Sequence, residues 1–178
     1  MLSLICHTKT ELEAQGIWLG ILDSQLSDIG MQHAQELDRI HSSRAYVAPS
    51  SHAQQFANIV LANEFSIVER FADRSMGTLT GRDYRETMAE FPRKKWLAWR
   101  RSYWVAPPGG ESLFDISDRV LTAFRQILPV ASAENVVIVC APDVLRILIG
   151  FLIKKDEGDL MKIEIQSGVP YTINGDVE

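Results

Sequence analysis

Val136 to Cys140 is apolar at all five positions and β-branched at four of them, the pattern of a strand buried on both faces. A Pro142-Asp143 turn passes it straight into the apolar stretch Val144 to Leu152, which reads as a helix. Leu2 to Cys6 is the other stretch of this kind, and it leads into His7-Thr8-Lys9-Thr10. Buried strands that hand over to helices through short turns predict a parallel α/β sheet. Ligands of such sheets bind just beyond the carboxyl ends of the strands, so His7, Ala141, Pro142 and Asp143 are expected at the lip of a pocket.

The remaining pattern fills in around these two strands. Residues 8 to 26 lack clean periodicity and contain Gly16 and Gly20, which suits a long loop able to cover a site. Ser27 is placed to cap a helix over Asp28 to His41, with Ile29, Ala34, Leu37 and Ile40 near helical spacing. Ala45 to Ala48 reads as a second strand stopped by Pro49. After it Ser50 or Ser51 caps a helix with Ala53, Phe56, Ala57, Val60 and Leu61 on one face and His52 in its first turn. Ser66 to Glu69 suggests a third strand. Arg82 to Trp104 reads as one or two helices broken at Pro92, mixing Arg93, Lys94, Lys95, Arg100 and Arg101 with Trp96, Trp99, Tyr103 and Trp104. That mixture suits a cap that packs its indoles while the cationic stems reach outward; an anionic partner is the other use for it. Ser112 caps a helix carrying Leu113, Ile116, Val120, Phe124 and Leu128, with Pro129 expected to close it. Lys162 to Gln166 and Tyr171 to Ile173 read as two closing strands. The sum is a single α/β domain over residues 1–178, three layers deep, with a mainly parallel, roughly six-stranded sheet.

Composition narrows the function. A net charge of -5 argues against general binding to nucleic acid or to an anionic membrane, both of which need a basic surface. Six residues ahead of His7 leave no room for a signal-peptide core, and no apolar run approaches the ~20 residues that span a bilayer, so a cytoplasmic protein is expected. The two cysteines, Cys6 and Cys140, both end buried strands and read as reduced, small hydrophobes.

The order of short motifs adds a resemblance. Strand-His7-Thr8, Leu26-Ser27-x-x-Gly30-x-x-x-Ala34, Pro49-x-x-x-Ala53-x-Gln55, Met76-Gly77-x-Leu79-x-Gly81, Pro108-Gly109-Gly110-Glu111-Ser112 and Val139-x-x-x-x-Val144-Leu145-Arg146 follow one another as in the histidine phosphatase superfamily. The chain therefore resembles the phosphoglycerate-mutase-like group over nearly its whole length. The resemblance implies a neutral histidine that attacks phosphorus, a second histidine and two arginines that bind the phosphoryl oxygens, and an acid that protonates the leaving oxygen. His7 stands at the nucleophile's position. Cys6 stands where the first arginine belongs, Thr8 where a glycine does, His52 where the second arginine does and Ala141 where the second histidine does. Asp73 takes the place of the acidic glutamate, one methylene shorter, and is equally suited to turn chemistry ahead of Arg74-Ser75.

Three functional readings follow. Losing one oriented donor at such a site typically costs about 10²–10³ in rate, so the loss of two arginines and a histidine implies a non-catalytic or severely impaired member that binds a small phosphorylated molecule or a protein partner. The alternative is a phosphomonoesterase that still works through a phosphohistidine at His7, with Thr10 and Pro142 among its pocket residues and Lys9 or Arg82 swinging in to replace the lost charge. No cofactor is called for. A metal site built from Cys6, His7, His52 and Cys140 is the third reading, although no ligand spacing in the sequence supports it.

Overall fold

A computed structural model of the chain describes residues 1–174. Its strands are β1 (Leu2–Cys6), β2 (Arg44–Val47), β3 (Ser66–Ile67), β4 (Val136–Cys140) and β5 (Tyr171–Ile173). They form one sheet in the order β3-β2-β4-β1-β5, parallel except for β5, which pairs antiparallel with β1. Every residue of β1 and β4 is buried, as their unbroken apolar character requires of the two central strands.

The helices cover both faces because crossovers between parallel strands are right-handed. The chain moves in one direction along the sheet from β1 through β2 to β3, so the connecting helices α2 (Asp28–Gln35) and α3 (Ser51–Val60) share a face and pack together. It then returns to β4 through α6 (Leu113–Ala133). That helix takes the opposite face, where α7 (Pro142–Leu152) packs on it. On α3 the expected apolar face is fully used: Ala53, Phe56, Ala57 and Val60 are inaccessible to solvent. Ser112 caps α6 reciprocally, its hydroxyl accepting from the Asp115 amide while the Asp115 carboxylate accepts from the Ser112 amide.

A small second core lies over the carboxyl edge of the sheet. The short helices α4 (Tyr84–Glu90) and α5 (Arg93–Arg101), separated at Pro92, form a cap with the loop after α1 (Glu11–Ala14). Trp18, Met76, Leu79 and Trp99 cluster beneath it, apart from the main core. Lys95 lies 5.2 Å from the ring centres of both Phe91 and Trp99, which gives its charge an aromatic face to rest on.

Several sequence expectations are corrected. Lys162 to Gln166 is not a strand: Glu157–Lys162 is a 3-10 turn, and the stretch beyond it touches β1 through a single bridge between Cys6 and Ser167. The edge of β1 is already taken by β5 at Leu2, Ser3 and Leu4, which leaves five strands among the described residues. Pro129 does not end α6, which continues to Ala133. Pro129 and Arg125, whose carbonyl loses its partner there, are both exposed, so the bond is lost on the solvent-facing side of the helix while buried Ala131 holds the last turn. Helix α2 stops at Gln35, short of His41, and Ile29 on its first turn is 71% exposed. Gly30 and Ala34 face inward instead, because the helix approaches the loop after β1 so closely that a Cβ on Gly30 would sit 2.1 Å from the Lys9 carbonyl oxygen.

Candidate functional site

The loop after β1 is tied down residue by residue. His7 is 3% exposed, and its Nδ1 lies 2.8 Å from the Thr8 carbonyl oxygen. A carbonyl can only accept, so Nδ1 carries the proton and Nε2 carries a lone pair. The Thr8 hydroxyl donates to the Gly30 carbonyl at 2.7 Å, and the Ser27 hydroxyl donates to the Lys9 carbonyl at 3.0 Å. Thr10 caps α1, its amide donating to the Glu13 carboxylate at 3.0 Å and its hydroxyl accepting from the Glu13 amide at 3.2 Å. These bonds turn Thr8 and Thr10 away from the cavity and fix the Glu13 carboxylate on its wall.

Two more groups meet His7. His52, in the first turn of α3, is completely buried, and its ring centre lies 4.3 Å from that of His7. Its Nε2 donates to Asp73 Oδ2 at 3.0 Å. Asp73 is brought there by a loop that Arg119 clamps from below, donating to the carbonyls of Arg70 and Ala72 at 2.8 Å and of Asp73 at 3.2 Å. His7 Nε2, His52 Nδ1 and Asp73 Oδ1 are all buried and have no hydrogen-bond partner among the described residues. Each such group costs about 1–3 kcal/mol in a closed interior, so this cluster holds free energy that a folded core alone has no reason to retain.

His7 and Asp73 border a pocket of about 500 Å³ at the carboxyl edge of the sheet, a size suited to a small metabolite, whereas His52 is not on its wall. His7, Asp73, Ala141 and Pro142 form its floor, and Trp18, Tyr84, Arg100 and Arg101 come from the cap. Arg74 closes one wall. Its side chain is 5% exposed and is spent on structure: Nε donates to Asp143 at 2.7 Å, and Nη1 to the carbonyls of Trp99 and Glu111 at 3.2 Å. Arg146 is likewise committed, to Asp143 at 3.0 Å and the Ile163 carbonyl at 3.2 Å.

Other residues singled out from the sequence fall elsewhere. Arg82 is outside the pocket, paired with Glu90 on the surface of the cap. Cys6 and Cys140 stand directly opposite each other on β1 and β4, both as free thiols, buried and absent from the cavity wall. Burial pushes both thiols up, so they stay protonated and unreactive. Among the described residues no three His, Cys, Asp or Glu side chains are arranged to hold a metal ion. Sequence reasoning missed Glu13, Arg74 and the pocket-facing role of Arg100 and Arg101. The available signal was the capping pair Thr10-x-x-Glu13 beside His7 and the dense charge of the cap.

Burial, and next the neighbouring His52, lower the pKa of His7, while Asp73 and Glu13 oppose the shift. The folded chain therefore refuses a proton that the unfolded chain accepts below the ordinary imidazole value of about 6.5. The stability tied to neutral His7 is complete above that value and is lost as the pH falls from there toward the lowered folded value. Denaturation midpoints should therefore decline as the pH falls below about 6.5, and His7→Gln should flatten part of that decline. An identical slope in the variant contradicts the assignment of a neutral His7.

Residues 2–174 match the family model of the histidine phosphatase superfamily (branch 1). The chain belongs to that superfamily. It is 31% identical to a 2,3-bisphosphoglycerate-dependent phosphoglycerate mutase of Parvibaculum lavamentivorans, covering 96% of this chain and 88% of that enzyme. The α-ribazole phosphatase of Shigella flexneri superposes with a TM-score of 0.79 at 25% identity, over 95% of this chain and 87% of the other. YhfR of Bacillus stearothermophilus shares the fold, with a TM-score of 0.83 over 99% of this chain and 92% of its own at 22% identity. As a histidine phosphatase superfamily member, the chain keeps a histidine in the loop after β1. The cations on its pocket wall are Arg74, Arg100, Arg101, Arg146 and Lys162, of which Arg74, Arg146 and Lys162 are paired with aspartates.

Proposed function

We propose that this superfamily member holds a small phosphorylated ligand in its pocket and does not turn it over at an appreciable rate. The observation that carries this reading is the floor itself. A phosphoryl group in transfer spreads charge over its oxygens and needs donors aimed at them. Around His7 the neighbours are the His52–Asp73 pair, the Ala141 methyl group and the Glu13 carboxylate, while Arg74 and Arg146 are bound to Asp143. A carboxylate beside the reacting phosphorus repels the charge that has to be stabilised. Lys162, also on the pocket wall, pairs with Asp159, which leaves the exposed Arg100 and Arg101 of the cap to hold an anionic group.

The alternative reading, a phosphomonoesterase working through His7, has one observation in its favour. The hydrogen bond from Nδ1 to the Thr8 carbonyl leaves a neutral ring with its lone pair on Nε2, the form that attacks phosphorus. The two readings separate on turnover. With generic phosphomonoesters, such as nitrophenyl phosphate, release of phosphate should not exceed the buffer blank. A clear rate that disappears in His7→Ala overturns the non-catalytic reading and establishes the enzyme.

A further inference from the structure

The pocket is split by hydrogen-bonding polarity. At the floor, His7 Nε2 and Asp73 Oδ1 are acceptors without partners among the described residues. The side chains that carry them are almost wholly buried: His7 is 3% exposed and the Asp73 side chain 9%. The Glu13 carboxylate adds negative charge on the adjoining wall. The cap side has the opposite character. Trp18 Nε1–H is a buried donor without a partner, and Arg100 and Arg101 form no ion pair among the described residues. A pocket that welcomed a phosphoryl group at its floor would have this arrangement reversed.

We infer that the pocket takes a phosphorylated primary amine in the inverted orientation, with its ammonium group at the His7 and Asp73 floor and its phosphate at Arg100 and Arg101 under the cap. This rests on the reading that the site holds its ligand without hydrolysing it. An ammonium group has three N–H donors, and the pocket wall offers it His7 Nε2, Asp73 Oδ1 and the Glu13 carboxylate. Its charge is matched by Asp73 and Glu13, while two adjacent guanidiniums match a phosphate dianion. His7 and Asp73 both line the cavity wall, and neither acceptor has a partner among the described residues for an ammonium to displace. The inversion also keeps phosphorus away from His7.

The test is a calorimetric titration of the purified chain with O-phosphoethanolamine, ethyl phosphate and inorganic phosphate. O-Phosphoethanolamine should bind with a Kd of about 1 mM or tighter and at least about tenfold better than ethyl phosphate, which differs from it by the amine. Asp73→Asn turns an acceptor at the floor into a donor and should erase that preference. Should this variant fail to fold, the exposed pair Arg100→Ala with Arg101→Ala carries the test, since it should weaken O-phosphoethanolamine about tenfold. Equal affinity for the two organic phosphates, no binding of O-phosphoethanolamine, or indifference to loss of the arginine pair overturns the inference. Phosphate release is followed in the same samples. Hydrolysis that stops in His7→Ala defeats the underlying non-catalytic reading, whereas lost amine preference without hydrolysis defeats only the inverted orientation.

Discussion

A variant carrying Cys6→Arg, Thr8→Gly, His52→Arg and Ala141→His together should bind inorganic phosphate and hydrolyse simple phosphomonoesters through His7, at least about 10³-fold faster than the parent. The expectation rests on the sheet. Cys6 and Cys140 are paired in register on adjacent parallel strands, so His7 and Ala141, each one residue further, leave neighbouring strand ends at the same level. A histidine at position 141 thus projects beside His7, and an arginine at position 52 starts from a ring position already 4.3 Å from it. An arginine at position 6 must extend out of a fully buried site, and the Thr8 change gives up the hydrogen bond to Gly30, worth about 1 kcal/mol. Thr8→Gly restores the glycine that the superfamily pattern has at this position and leaves the loop backbone freer to approach a phosphate. A folded quadruple variant that neither binds phosphate in a titration nor releases it from a phosphomonoester would show that the floor's geometry has diverged from the superfamily's.

Arg74→Ala should lower stability by about 3–5 kcal/mol, with a correspondingly large fall in the denaturation midpoint. The guanidinium bridges Asp143 at the start of α7, the Trp99 carbonyl in α5 and the Glu111 carbonyl ahead of α6, and so ties three segments together through one side chain. Removing it leaves a partly buried carboxylate with Arg146 alone and strands two carbonyls, which is the expensive way to break a buried pair. Arg74→Lys should recover only part of the loss, because a single ammonium cannot reproduce the fork that reaches acceptors on both sides. A loss below about 1 kcal/mol in Arg74→Ala would mean that the cap does not depend on this clamp.

The parts of the fold that were readable from sequence are those set by local chemistry. The unbroken apolar runs of β1 and β4, the single apolar face of α3, the Pro92 break and the Ser112 cap each follow from residues within a few positions of one another. The position of His7 is local too, because it depends only on where β1 ends. The pocket's polarity is different in kind. Glu13, Asp73, Arg100 and Arg146 lie far apart in the chain, and which of them faces the cavity is decided by the cap's placement and by partners such as Asp143. Arg82 illustrates the failure: nothing near it in sequence indicates that its guanidinium turns outward to Glu90. Lys162 to Gln166 failed for a related reason, since a strand-like pattern does not reveal that β5 has already claimed the edge of β1.

The central claim is that the scaffold keeps its pocket and its histidine while phosphoryl transfer is gone. A phosphohistidine on His7 is the species that transfer requires, so the most direct measurement is to mix the protein with excess phosphomonoester, quench rapidly in base to preserve the acid-labile bond, and look for the modified peptide by mass spectrometry. The expected result is an unmodified His7 peptide at every time point. A stoichiometric phosphohistidine at His7, formed within the first turnover and absent from His7→Ala, would contradict the account.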